Sequence, residues 1–186
     1  LILIGAALEQ RTWTRPEGEP LAVSLVQGNV LQDLKFDPAF LPKTFDLYAS
    51  LVAQSKGRLI VLPESAFPVF SVEVPSTRVT FLHETATSRG GDVLVGVFTM
   101  DPPAFAGGGP RYYNSVLSLG ASDRQMYRKH HLVPFGETIP LEPLLGWLIR
   151  SVLAIPLDSQ TPGPAHPPPL KVAGQAVALD ICYEDL

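Results

Sequence analysis

Apolar and polar positions along this chain fall into short blocks whose periods change. Leu21-Ala-Val-Ser-Leu-Val26 is a compact apolar run, and Gln27-Gly28-Asn29 ends it with turn chemistry, which predicts a strand. After Pro38, apolar residues recur at Phe40, Leu41, Phe45, Leu47, Tyr48, Leu51 and Val52, close to a helical period. Asp37 is placed to cap that helix and Gly57 to end it. Leu59-Ile-Val-Leu62 follows as a continuous apolar strand of the kind buried on both faces. A strand–helix–strand unit favours an α/β sheet.

The pattern then repeats. Ser76 to Arg89 reads as a helix broken by Gly90-Gly91, and Val93-Leu-Val-Gly-Val-Phe98 as a third strand. Pro102 to Pro110 is a Gly/Pro-rich loop. Tyr112 to Leu119 and Arg124 to Arg128 read as two strands joined by a turn at Gly120-Ala-Ser-Asp123. Pro156 to Pro169 has neither helical nor strand potential, and Leu170 to Val172 with Ala176 to Ile181 reads as a hairpin ending at Cys182. The first eight residues, Leu-Ile-Leu-Ile-Gly-Ala-Ala-Leu, are too short a run to span a bilayer, which needs about 20 apolar residues. They read either as an ordinary strand or as the tail of a transmembrane helix, and the absence of an initial Met favours the tail. Residues 1–20 are therefore expected to be such a tail plus a polar linker, and residues 21–186 one α/β domain.

Composition narrows this modestly. A chain of 186 residues can bury one sizeable core. Charged residues make up 17% against a norm of about 25%, and mean hydropathy is +0.18. These values suit an apolar soluble domain or the soluble part of a membrane protein. The net charge of −4 gives no electrostatic reason to expect nucleic acid. One cysteine excludes an internal disulfide framework.

Three residues stand where an α/β fold presents chemistry, each at the C-terminal end of a predicted parallel strand: Glu64, Lys129 and Cys182. Taken singly they have ordinary readings, as a capping carboxylate, a solvated lysine and a small buried thiol. Together they form a kit for making and breaking a thioester without metal. A thiol needs a base, which a poorly solvated carboxylate supplies, and a tetrahedral intermediate needs a fixed positive charge.

The longer words around these residues resemble the nitrilase superfamily and, within it, the bacterial apolipoprotein N-acyltransferases. They are Val26-Gln27-Gly28-Asn29, Pro63-Glu64-Ser65-Ala66, Tyr113-Asn114-Ser115, Ile181-Cys182-Tyr183-Glu184 and the most specific, Lys129-His130-His131-Leu132-Val133-Pro134-Phe135-Gly136-Glu137. The resemblance covers residues 21 to 186 and implies an incomplete nitrilase-like catalytic domain, the N-terminal part of an αββα sandwich. It implies Cys182 as nucleophile, Glu64 as general base and Lys129 as stabiliser of the tetrahedral intermediate. Glu137, Tyr183, Glu184 and Asn114 match supporting positions, with the Tyr183 N–H available for an oxyanion hole. Phe36 stands where some relatives carry tryptophan, keeping the aromatic surface and losing the indole N–H.

The same resemblance implies no cofactor, a phospholipid acyl donor, a diacylglyceryl-modified apolipoprotein as acceptor, and a bacterial inner membrane with this domain on the periplasmic side. It also implies further strands and helices after the cysteine word, so this polypeptide alone is expected to be inactive and poorly stable. Two other readings stay open: a soluble nitrilase-type amidase using the same triad, and a non-catalytic interaction domain. Leu141 to Leu153 reads either as a buried helix or as a mobile amphipathic arm touching lipid. His130 and His131 would point to opposite faces of a strand, which disfavours a shared metal. Gly107-Gly-Gly109 lacks the Lys-Ser/Thr of a phosphate loop.

Overall fold

The parallel pairing expected from the strand–helix–strand pattern opens the sheet. In the computed structural model, which describes residues 5, 8–16, 18–105, 109–134, 136–138 and 160–185, strand β1 (Val23–Leu25) lies parallel to β2 (Leu59–Val61). Both β2 and β3 (Phe67–Phe70) then lie parallel to β4 (Asp92–Asp101), along the same edge. Strand β5 (Arg111–Gly120) runs antiparallel to β4 over ten paired residues, and β6 (Met126–Arg128) antiparallel to β5. The result is a mixed six-stranded sheet of order β1-β2-β4-β5-β6, with β3 beside β4. A separate hairpin pairs β7 (Leu170–Val172) with β8 (Gln175–Val177).

A single turn, α1 (Gln32–Lys35), precedes α2 (Leu41–Gln54) and α3 (Ser76–Thr87). Helix α2 starts with Pro42 in its first turn, where the missing N–H costs nothing. Its buried residues Thr44, Phe45, Tyr48, Ala49 and Val52 follow the helical period and face the sheet. Asp37 does not cap this helix. Its carboxylate accepts the Ala39 N–H at 2.9 Å in the preceding turn, and the helix stops at Ser55, two residues before Gly57.

Each face of the sheet has its own apolar layer. Phe45, Tyr48, Val52, Leu82 and Ala86 of α2 and α3 pack on Ile60, Phe67, Val93, Val95, Val97, Leu117 and Leu119. On the opposite face Leu59, Leu94 and Tyr127 meet Leu170, Val172, Ala173 and Ile181. Buried Asp92 ties this second layer together, accepting from the Ser122 N–H at 3.0 Å, the Ser122 hydroxyl at 2.6 Å and the Ala173 N–H at 2.6 Å.

Two expectations need correction. Lys129 follows a strand that runs in the same direction as β2, but β6 reaches that direction through two antiparallel pairings rather than parallel ones. The final hairpin ends at Val177, so Cys182 follows irregular backbone and opens a 3₁₀ turn, Cys182–Asp185. The apolar stretch Leu141 to Leu153 and most of the first eight residues lie outside the described residues. Among the described residues, no helix is long and apolar enough to cross a membrane.

Candidate active site

The site lies on the face of the sheet opposite α2 and α3. Strands β2 and β3 both pair with β4, one against Asp92–Leu94 and the other from Val97. Between them the chain rises off β4 in a tight turn, Pro63-Glu64-Ser65, with Ser65 at φ +47°. Gly96 lies directly beneath. A Cβ there would fall 2.4 Å from the Pro63 carbonyl oxygen and 2.6 Å from the Ser65 nitrogen, so only glycine lets the turn seat.

Seated there, Glu64 reaches across β4 to β5. Asn114, opposite Phe98 on β5, donates from Nδ2 to Glu64 Oε1 at 2.6 Å and to Glu137 Oε1 at 3.4 Å. Lys129 continues the β5–β6 register opposite Asn114, donating its backbone N–H to the Asn114 carbonyl at 2.9 Å. Its side chain therefore emerges on the same face as that of Asn114.

Lys129 is 1% exposed, which for a lysine demands partners. Its Nζ lies 2.8 Å from Glu137 Oε2 and 3.9 Å from Glu64 Oε1. Glu137 is brought there by its bonds to Val133: the Glu137 N–H donates to the Val133 carbonyl at 2.8 Å, and the Val133 N–H to Glu137 Oε2 at 2.9 Å. A strap closes over the lysine segment, with the Gly163 N–H on the Lys129 carbonyl and the Thr161 N–H on the Tyr112 carbonyl. The ammonium is thus held between two carboxylates, with Asn114 bridging them. Asn114 Oδ1 is buried with no hydrogen-bond partner among the described residues.

Cys182 stands at a neighbouring turn. It is exposed and has φ +54°, a left-handed conformation that costs a non-glycine residue about 1–2 kcal/mol. Among the described residues no hydrogen bond joins its Sγ to Glu64 or Lys129. The link is indirect, through Glu184, whose carboxylate accepts from the Tyr127 phenol at 2.6 Å and from the N–H groups of Ile181, His130 and His131 at 2.8, 2.7 and 3.2 Å. Burial pushes the Glu184 carboxyl upward, but these hydrogen bonds outweigh it and hold the group below the usual glutamate value. Burial, with the Glu184 and Asp180 charges beside it, raises the Tyr127 phenol well above its ordinary value.

The residues proposed from the sequence therefore divide. Glu64, Asn114, Glu137 and Lys129 meet in one cluster, and Glu184 joins the cysteine turn to the segment following Lys129. Tyr183 is exposed, and Phe36 is exposed at the end of α1, where the neighbouring Lys35 donates to the Glu64 carbonyl at 3.2 Å. A cavity of about 200 Å³ lies beside Glu64, lined by Gln27, Asn29, Lys35 and Tyr48 among others. His130 and His131 do not follow the strand alternation expected of them. Residues 130 and 131 lie beyond the end of β6, and their rings meet 4.9 Å apart rather than on opposite faces. Sequence reasoning gave no role to Tyr127, although its place two residues before Lys129 puts both side chains on one face of the strand.

Known proteins resemble this chain over nearly all of it. The chain is 50% identical over 184 residues to an apolipoprotein N-acyltransferase of Nitrosomonas europaea, covering 99% of this chain and 36% of that protein. It is 39% identical over 181 residues to an apolipoprotein N-acyltransferase of Chromobacterium violaceum, covering 97% and 34%. The chain thus spans about a third of the length of the curated relatives it matches. Among solved structures, an N-terminal amidase aligns at 20% identity with a TM-score of 0.42, over 61% of this chain and 28% of that one. The carbon-nitrogen hydrolase family model matches residues 6–186, and the chain belongs to that family.

Proposed function

We propose that this chain carries the catalytic residues of an apolipoprotein N-acyltransferase, moving a fatty acyl chain through a thioester on Cys182. The observation that carries the proposal is the buried Lys129 ammonium held between Glu64 and Glu137. A cation fixed at this depth is already desolvated, and once Glu64 holds the Cys182 proton only Glu137 still offsets its charge, so an oxyanion forming beside it is stabilised with little reorganisation. The match to apolipoprotein N-acyltransferases along almost the whole chain supports the substrate class.

In the first half-reaction, Glu64 takes the Cys182 proton and the thiolate attacks the ester carbonyl of a phospholipid. Lys129, with the Tyr183 N–H, stabilises the tetrahedral oxyanion. Collapse breaks the ester C–O bond, and Glu64 returns the proton to the departing alkoxide, leaving a thioester and a lysophospholipid. In the second, the α-amine of a diacylglyceryl-modified N-terminal cysteine attacks the thioester. Glu64 accepts a proton from that amine, the C–S bond breaks, and the amide leaves with the acyl chain. The proton then returns from Glu64 to the thiolate.

The charge balance favours this route. Two carboxylates and one ammonium carry a net −1, and moving a proton from Cys182 to Glu64 leaves that total unchanged. No additional charge is buried when the nucleophile forms. Asn114, bonded to both carboxylates, holds Glu64 from closing fully on Lys129, so its oxygen stays available as a base.

The reading places the site at the outer face of a bacterial inner membrane, where both substrates reside. It is tested in the full-length protein with a phospholipid bearing an alkyne-tagged acyl chain. Wild type should become labelled through a hydroxylamine-sensitive thioester and pass the label to a diacylglyceryl-cysteine peptide. Cys182→Ala should take no label, and Lys129→Met should lower acylation at least about a hundredfold. Transfer to the peptide by the Cys182→Ala variant would overturn the proposal. Release of free tagged fatty acid with no transfer would favour a hydrolase instead.

A further inference from the structure

We infer that Tyr127 is a positioning residue, acting through Glu184 as a clasp that sets the cysteine turn against the lysine segment. The inference rests on Cys182 as nucleophile, and adds how that nucleophile is registered to the rest of the site.

Four donors converge on the Glu184 carboxylate, two on each oxygen: Tyr127 Oη and the Ile181 N–H on Oε2, the His130 and His131 N–H groups on Oε1. These donors flank the chemical residues. Ile181 immediately precedes Cys182, and Tyr127, His130 and His131 lie on either side of Lys129. One carboxylate therefore holds the two halves of the chemistry at a fixed separation.

Tyr127 differs from the other three donors. Their N–H groups belong to irregular backbone, whereas Tyr127 stands on β6, opposite Val116 in the sheet register. Its ring is buried in the layer that also holds Ile181. A phenol buried there requires an acceptor, and Glu184 is the one it has among the described residues. Tyr127 is thus where the clasp is anchored to the rigid sheet. The Glu184–Ile181 bond closes the turn in which Cys182 takes its positive φ, so the anchor also maintains the strained backbone at the sulfur. A misplacement of about 1 Å at a reacting atom is enough to cost about a hundredfold in rate.

Tyr127→Phe removes one hydroxyl and keeps the ring. Glu184→Gln places an amide N–H₂ where some donor now points at carboxylate oxygen. In the full-length protein with the alkyne-tagged phospholipid, Tyr127→Phe should lower kcat for acylation about tenfold, and Glu184→Gln about a hundredfold. KM for the phospholipid should stay within about twofold, because neither group is asked to bind it. The double variant should be no slower than Glu184→Gln alone, since both changes open the same clasp. Urea midpoints measured on each variant separate positioning from folding.

Wild-type kcat in Tyr127→Phe would overturn the inference. So would a loss seen only in KM, a loss in the double variant equal to the product of the two singles, or a rate loss that follows unfolding. Cys182→Ala, assayed alongside, keeps the two claims apart. If it still transfers acyl chains, the nucleophile assignment fails. If it is inert while Tyr127→Phe is fully active, only the clasp fails.

Discussion

Glu184 shows how one side chain can depend on pH in a direction fixed by its neighbours. Its folded carboxyl lies below the ordinary glutamate value of 4.5, because hydrogen bonds from Tyr127, Ile181, His130 and His131 outweigh the opposing effect of burial. A group with a depressed folded value contributes its stability in full above the unfolded value and loses it as pH falls through the folded one. Stability should therefore decline below about pH 4.5, partly through this carboxyl. Urea midpoints from about pH 6 to about pH 3 should fall less steeply in Glu184→Gln than in the unsubstituted chain. Equal slopes would show that Glu184 does not contribute. The sequence made the identities legible here, since Glu64, Lys129, Asn114, Glu137 and Glu184 all lie within recognisable words. It did not reveal the partners. Nothing in the order of residues says that Lys129 is clamped by two carboxylates, or that Tyr127 meets a glutamate 57 positions away.

At the scale of elements, patterns with a strong period were readable and those formed by tertiary pairing were not. The cores of β2, β4, β5, α2 and α3 follow from apolar runs and spacings. Strand β3 was not foreseen, because Pro68 interrupts a short run, and the strand exists only by pairing with the edge of β4 that β2 vacates. The expected strand leading to Cys182 fails for the converse reason. Residues 178–181 run past the end of three-residue β7, so the ladder has no partner, and the Ile181 N–H turns to a carboxylate instead. Gly96 belongs with both cases, a glycine inside β4 that decides where Glu64 sits. A Cβ at Gly96 must displace backbone on the Pro63–Ser65 turn, since the obstructing atoms are a carbonyl oxygen and an amide nitrogen rather than a flexible tip. Gly96→Ala should lower the melting temperature by several degrees, about 1–3 kcal/mol of overpacking. In the full-length protein it should also cut acylation by more than tenfold through displacement of Glu64. An active, equally stable Gly96→Ala variant would show that the turn can shift without consequence.

Among the described residues, the two faces of the sheet are covered unequally. Helices α2 and α3 close one face along its length, with Val52, Ile60 and Val93 fully buried beneath them. The other face is covered where the β7–β8 hairpin and Ile181 pack on Leu94 and Tyr127, and toward β1 it is uncovered among the described residues. There the paired positions Val23–Leu59 and Leu25–Val61 share that face, yet Val23 is 48% and Leu25 81% exposed. An apolar strip on a sheet edge is a template for association, because unpaired backbone and uncovered side chains coincide. The isolated 186-residue polypeptide should therefore bind a hydrophobic dye strongly and elute above its 20.1 kDa mass in gel filtration. Leu25→Lys should reduce both effects while leaving the far-ultraviolet circular dichroism unchanged, since the side chain contributes little to either buried layer. The same polypeptide should show no acyl transfer under conditions where the full-length protein is active, because a site on a partly uncovered face cannot exclude water from a thioester. A monomeric, dye-silent polypeptide that transfers acyl chains would show that the face as it stands is sufficient.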